Sequence, residues 1–238
     1  MAIAALVFDA YGTLYDTQSV QTEAERLCPG KGELIAQLWR MKQLEYSWLR
    51  SLMEEYWDFW DVTGASLEFA LRAAGVEPDG FISTRLMDNY LHLDPYPEAP
   101  EALAGLAGRR LAILSNGSPK MLDALVQNSG LHRWIETAIS IDVARTYKPH
   151  PACYALVEQA LDVRRRDVLF ASSNGFDVAG AKAFGFNVAW IRRASAEPAG
   201  EGLVDPTAFY RMLRGRAEEL GHAPDYIVSA LTDLPGLL

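Results

Sequence analysis

Four short polar segments, set far apart in the chain, carry the side chains best suited to chemistry. They are Asp9 with Tyr11, Gly12 and Thr13, then Ser115 with Asn116, then Lys148, and finally Ser172, Asn174 and Asp177. A carboxylate held rigidly beside a cation is a competent covalent catalyst, because an ester or acyl phosphate can then form and be broken in separate steps. Asp9 is a candidate for that carboxylate and Lys148 for the cation. Asp177 precedes a run of small residues, Val178 to Phe184, where a helix dipole favours a carboxylate. It could equally hold Lys148 in place. Taken singly, each also has an ordinary reading: a turn aspartate before Gly12, a solvated lysine, a helix-capping acid.

What joins these segments is where they stand relative to the apolar runs. Ile3 to Phe8 is short, unbroken and closed by a polar turn, which suits a strand buried on both faces. Leu111 to Leu114, Ala138 to Ile141, Val168 to Ala171 and Val188 to Ile191 repeat that character, and Tyr226 to Val228 adds a sixth candidate. Helical patterns alternate with them. Ser118-Pro119 opens one helix and Pro151 another, running to about Leu161. This alternation predicts βαβ units and a mostly parallel sheet. In such sheets ligands bind at the carboxyl ends of strands, which is where all four polar segments fall.

Residues from about Tyr15 to Asp94 have a different texture, helical in period and without a convincing strand. Leu34, Leu38, Met41, Trp48 and Leu52 fall three, four or seven apart, the spacing of one helix face. A further helix is predicted from near Ser66 to a stop at Gly75. Leu93 to Pro100, with three prolines, reads as a hinge returning the chain to the sheet. The expected organisation is therefore a core of residues 1–14 and 95–238 interrupted by a helical insert of residues 15–94.

Composition narrows the partners. The chain has 238 residues, half of them hydrophobic and 22% charged, and a formal net charge of −9. A negative field repels phosphate backbones and anionic lipid, so neither nucleic acid nor membrane is an expected partner. The N-terminal apolar run Ala2 to Phe8 fits neither a signal peptide nor a membrane span. Two isolated cysteines, Cys28 and Cys153, exclude a paired zinc or redox motif and point to a cytoplasmic setting.

The four segments D-A-Y-G-T-L at Asp9, S-N at Ser115, K-P at Lys148 and S-S-N-G-F-D at Ser172 together resemble the haloacid dehalogenase superfamily. The resemblance covers nearly the whole chain and implies a Rossmann-like α/β core with an inserted helical cap. Phosphatases of that superfamily normally carry a second aspartate two residues after the nucleophile and an acidic pair in the fourth motif. Here Tyr11 and Ser173 stand at those places. A phenol is a poor acid/base near neutral pH, and a lost carboxylate weakens a magnesium site. The pattern looks instead like the L-2-haloacid dehalogenase branch, for which no metal and no cofactor is expected.

That resemblance implies roles. Asp9 is expected as nucleophile, with Lys148 and Thr13 holding it. Asp177, Ser172 and Asn174 are expected to activate and orient water. The string Trp39 to Arg50 is similar to the dehalogenase cap helix and places Arg40 with Asn116 and Phe176 around the departing halide. Ser115 and backbone N–H groups near Tyr11 and Gly12 are expected to bind the substrate carboxylate, and Leu44, Phe59 and Trp60 to wall the pocket. Tyr154 matches an active-site tyrosine. Met41 departs from a glutamine common beside the arginine. The expected partners are a small 2-haloacid, a halide ion and a second copy in a homodimer. Two other readings stay open: a magnesium-dependent phosphatase or phosphomutase, and a non-catalytic binding protein. No role is assigned to the segment Ala194 to Pro224.

Overall fold

The computed structural model describes residues 3–193 and 218–238. Six strands form one parallel sheet in the order β3-β2-β1-β4-β5-β6. They are β1 (Ala5–Phe8), β2 (Arg110–Ser115), β3 (Thr137–Ser140), β4 (Val168–Ser172), β5 (Asn187–Ile191) and β6 (Tyr226–Val228). The central strands are apolar throughout because helices cover both faces of the sheet. The chain builds outward from β1 to one side, then crosses to the other, so the strand order reverses at the carboxyl end of β1. That point is where a doubly wound sheet opens a crevice. Register sharpens it, since Phe8 lies opposite Ile113 on β2 and Ala171 on β4. The residues that follow the three strands therefore meet at one rim.

Five α-helices lie between β1 and β2, and the first four form the insert: α1 (Val20–Leu27), α2 (Gly32–Leu52), α3 (Phe59–Ala73) and α4 (Gly80–Tyr90). Asp58 and Asp79 cap α3 and α4 by accepting N–H bonds from Asp61 and Ile82. The chain leaves and re-enters the sheet region as a short antiparallel ribbon. Tyr15 pairs with Pro95, Asp16 N–H donates to Asp94 O at 2.8 Å, and Tyr96 N–H donates to Leu14 O at 2.9 Å. The helices α5 (Ala99–Gly105), α6 (Pro119–Asn128), α7 (Pro151–Leu161) and α8 (Gly175–Phe184) complete the α-helices of the described residues.

Two expectations need correction. The helix predicted from Ser66 begins seven residues earlier, at Phe59, where Asp58 caps it, and its end at Gly75 in a left-handed conformation is as expected. The face predicted for α2 is out of phase: Leu34 and Leu52 are exposed and Leu38, Met41 and Trp48 only half-buried. The face turned inward carries Ile35, Trp39, Arg40, Gln43, Leu44 and Ser47. Polar groups with fixed partners replace apolar ones there, which a hydrophobic period cannot detect. Strand limits otherwise fall within two residues of expectation. Of the segment from Ala194 to Pro224, residues 194–217 lie outside the described residues.

Candidate active site

Asp9 follows β1, and its N–H still donates to Ala171 O on β4, so the backbone under the carboxylate is part of the sheet. Each carboxylate oxygen has its own donors. Oδ1 accepts from Lys148 Nζ at 3.1 Å; Oδ2 accepts from Thr13 Oγ1 at 3.1 Å and Asn174 Nδ2 at 2.7 Å. Only 6% of Asp9 is exposed. A carboxylate this enclosed has lost much of its water, and fixed donors hold its orientation in exchange.

Lys148 is almost wholly buried, and its three ammonium protons are matched by three acceptors: Asp9 Oδ1, Asp177 Oδ2 at 3.0 Å and Leu114 O at 2.7 Å. Burial works against its charge, but Asp177 and Asp9 outweigh burial and hold the ammonium above its ordinary pKa. Asp177 sits in the first turn of α8. Burial pushes its carboxyl up to about 6, with Lys148 pulling down and Asp9 pushing up. Its other oxygen, Oδ1, accepts from Tyr154 Oη at 2.8 Å. Tyr154, fully buried on α7, is therefore a donor to Asp177, and burial with the Asp177 charge holds its phenol well above the ordinary value.

The remaining predicted residues fall into three places. Ser172 Oγ accepts the N–H of Asn174 at 3.1 Å, while the Asn174 amide bridges Asp9 Oδ2 and Tyr11 O, the latter at 2.9 Å. Asn174 thus touches the nucleophile candidate directly. Ser115 Oγ accepts from Gly117 N–H at 3.1 Å, and Asn116 Oδ1 accepts from Lys148 N–H at 3.2 Å. Phe176 is buried, with its ring at 5.3 Å and nearly perpendicular to that of Trp48. Trp48 also donates from its indole to Lys148 O at 3.2 Å, so α2 is fastened to the lysine loop. Gly12 differs from expectation as a substrate donor: its N–H is engaged by Tyr15 O at 2.8 Å.

Arg40 is buried on the inward face of α2 and donates from Nη1 to Gln43 Oε1 at 2.8 Å. Gln43 is in turn fixed by Tyr90 Oη at 2.9 Å and by donation to Thr63 Oγ1 at 2.7 Å. The Tyr11 phenol is raised well above its ordinary value by burial and by Tyr90, with the Arg40 charge pulling it down. The Tyr11 ring packs 5.4 Å from Phe59 and 5.6 Å from Tyr90, and its hydroxyl has no hydrogen-bond partner among the described residues. Leu44 and Phe59 are buried; Trp60 is half-buried and lies under the Lys120 ammonium.

Two functional candidates escaped the sequence reading. Gln43 orients Arg40 and stands one helical turn from it, a spacing that could have flagged it. Arg193, two residues beyond β5, donates to Gly12 O, Thr13 O and Ser173 Oγ. The carboxyl-end rule used for the other strands would have drawn attention to it.

A divalent cation needs hard oxygen ligands, which here would have to include Asp9 and the neighbouring loop. Those oxygens already receive protein nitrogens: Asp9 Oδ2 and Tyr11 O take the Asn174 amide, and Ser173 Oγ takes the Arg193 guanidinium. Among the described residues no group of three or more His, Cys, Asp or Glu side chains converges as a metal site. The residues present do not fit a divalent ion.

The model of the haloacid dehalogenase-like hydrolases matches residues 3–185. The chain is 52% identical over 240 residues to an (S)-2-haloacid dehalogenase of Xanthobacter autotrophicus, covering 99% of this chain and 95% of that one. It is 43% identical to haloacetate dehalogenase H-2 of Moraxella sp. (strain B), over 99% and 98% of the two chains. A solved structure of the Xanthobacter L-2-haloacid dehalogenase with chloropropionic acid covalently bound superposes with a TM-score of 0.95 at 51% identity, over 99% and 98% of the two chains. By motif, sheet order and likeness along its whole length, the chain belongs to the haloacid dehalogenase-like hydrolases.

Proposed function

We propose that this chain is a hydrolase acting on carbon–halogen bonds, converting short L-2-haloalkanoic acids to D-2-hydroxy acids through an ester on Asp9. The observation that carries this is the Asp9 carboxylate itself, enclosed and held by Lys148, Thr13 and Asn174. The relative captured with chloropropionic acid covalently bound supports the same course.

In the first step an Asp9 oxygen attacks C2 from the side opposite the halogen. The C2–O bond forms as the C2–halogen bond breaks, inverting C2, and the halide leaves with the electron pair. Lys148 pairs its charge with Asp9, and Thr13 and Asn174 aim it. Arg40, Asn116 and Phe176 stabilise the departing halide as charge builds on it, the former two by donation and the ring by its positive edge. No proton is needed by the leaving group, which is why Tyr11 serves where an acid would otherwise be required. In the second step water attacks the Asp9 carbonyl carbon and the acyl–oxygen bond breaks. This regenerates the Asp9 carboxylate and releases the protonated 2-hydroxyl with its C2–O bond untouched, so one inversion survives. Asp177 accepts the proton of that water, with Ser172 and Asn174 setting the geometry around it. Tyr154 and Lys148 hold Asp177 in place. Ser115 and the Tyr11 N–H receive the substrate carboxylate, and Leu44, Phe59 and Trp60 wall the alkyl side.

Residues 15–94 act as a cap that closes this site, in line with the bond from Trp48 on α2 to Lys148 O. A homodimer and a cytoplasmic setting complete the reading. Apolar side chains exposed on and after α2 and α3, including Leu49, Leu52, Met53 and Phe69, support self-association. Two buried free cysteines suit a reducing compartment.

The decisive experiment is a single turnover of EDTA-treated protein with L-2-chloropropionate in oxygen-18 water. Chloride release with label in the Asp9 side chain is the expected result. Chloride with label only in the product would replace the nucleophile by water. No chloride, with magnesium-dependent hydrolysis of phosphate esters, would overturn the reading.

A further inference from the structure

We infer that Arg193 is a positioning residue, a built-in cation that locks the nucleophile loop to both strands of the ribbon leading into the helical insert. Its catalytic consequence rests on the dehalogenase reading above; its structural consequence does not.

The loop after Asp9 uses its N–H groups internally: Thr13, Leu14 and Tyr15 all donate to Ala10 O, and Gly12 donates to Tyr15 O. Gly12 has φ +85°, a left-handed conformation that glycine adopts without strain. Two carbonyls, of Gly12 and Thr13, are left facing away from the turn. A single guanidinium takes both, with Nη1 at 3.1 Å from Gly12 O and Nη2 at 2.7 Å from Thr13 O. Nη1 also donates to Ser173 Oγ at 2.9 Å.

Two of these partners lead to Asp9, Thr13 directly and Ser173 through Thr13. Ser173 N–H donates to Thr13 Oγ1 at 2.9 Å, and that same hydroxyl donates to Asp9 Oδ2. Arg193 thus braces Thr13 from its backbone and, through Ser173, from its side chain. On the returning strand of the ribbon its guanidinium carbon lies 3.6 Å from the centre of the Tyr96 ring, and its Nε donates to Glu98, just before α5, at 2.7 Å. The outgoing strand, the returning strand and the β4–α8 loop are therefore joined by one planar cation. A planar fork with fixed donor directions can serve these acceptors at once; a lysine ammonium, a point charge, cannot.

Displacing a nucleophile by about 1 Å costs on the order of 10²-fold in rate. Arg193→Met is expected to lower kcat by about 10- to 100-fold, with KM for L-2-chloropropionate changed by less than about 3-fold. Arg193→Lys should fall between. In Arg193→Ala, added guanidinium ion should restore the rate at least about 3-fold, which a loss of folding would not allow. Rates are referred to active sites counted by the chloride released in a single turnover.

Amide hydrogen exchange provides the second arm. Exchange in residues 10–16 and 94–98 should quicken at least about 10-fold in Arg193→Met, with α7 unaffected, because the clamp touches those segments and not α7. If kcat per active site stays within about 2-fold of wild type, or exchange in both segments is unchanged, the assignment is wrong. If the wild-type protein releases no chloride, the dehalogenase reading fails, and the exchange result still decides the clamp.

Discussion

At the scale of residues, the site is a chain of shared charges rather than a set of separate catalysts. Lys148 lies between Asp9 and Asp177, and Tyr154 completes Asp177. Because burial raises Asp177 to about 6, the site should lose activity as pH falls through that value. The sign for folding is opposite. With a folded pKa above the ordinary carboxylate value, Asp177 binds more protons folded than unfolded between roughly pH 4 and 6, so its contribution to stability falls as pH rises through that window. A pH profile of kcat/KM should show an acid limb near 6, and Asp177→Asn should be inactive at all pH values. An acid limb near 4 would place the essential group elsewhere. Tyr11 offers a different test. Its buried hydroxyl has no partner among the described residues, a condition that costs about 1–3 kcal/mol. Tyr11→Phe keeps the ring against Phe59 and Tyr90 and should raise unfolding stability by about 1 kcal/mol in denaturant titration. A loss of that size would mean the hydroxyl is satisfied.

At the scale of elements, close approach decides function. Helix α8 brings Asp177 to Lys148 only because Gly180 lets α7 and the Lys148–Pro149 segment come near. A Cβ on Gly180 would lie 2.5 Å from both Pro149 Cβ and Tyr154 Oη. Tyr154 cannot yield freely, since it is fully buried. Gly180→Ala should therefore push Tyr154 off Asp177, destabilise the protein by about 1–3 kcal/mol and lower kcat at least about 10-fold. Thermal unfolding and steady-state rates check both, and a fully active variant would show that the Tyr154 bond is dispensable. The same close packing explains what the sequence revealed and what it withheld. The strands were legible because β1, β2 and β4 are unbroken apolar runs ending in polar turns, and that placement found Asp9, Ser115, Lys148 and Asp177 together. The inward face of α2 was not legible, because Arg40, Gln43 and Ser47 are buried through hydrogen bonds, and periodicity counts them as solvent-facing. Nor could spacing indicate that Gly12 N–H turns inward to Tyr15, or that Arg193 reaches back across the sheet to the first loop.

At the scale of the whole molecule, the charges oppose the proposed substrate. The chain carries a formal −9, and a haloalkanoate is an anion, so the long-range field slows its approach. Attraction must come from the local cations. Arg40 is only 5% exposed and Lys148 1%, each paired within the fold, so neither projects a strong field into solvent. The two contributions respond differently to salt. The Debye length is about 10 Å at 0.1 M, which screens the distributed surface charge but leaves contacts inside a closed pocket nearly intact. Raising ionic strength from about 10 to 150 mM should therefore increase kcat/KM, by roughly 2-fold, while kcat at saturation stays level. The salt must bring neither halide nor carboxylate, since both would compete for the site; potassium sulfate at constant pH serves. A fall in kcat/KM under those conditions would mean that the buried cations govern the encounter, and that the insert opens widely enough in solution for Arg40 to act on a substrate still outside.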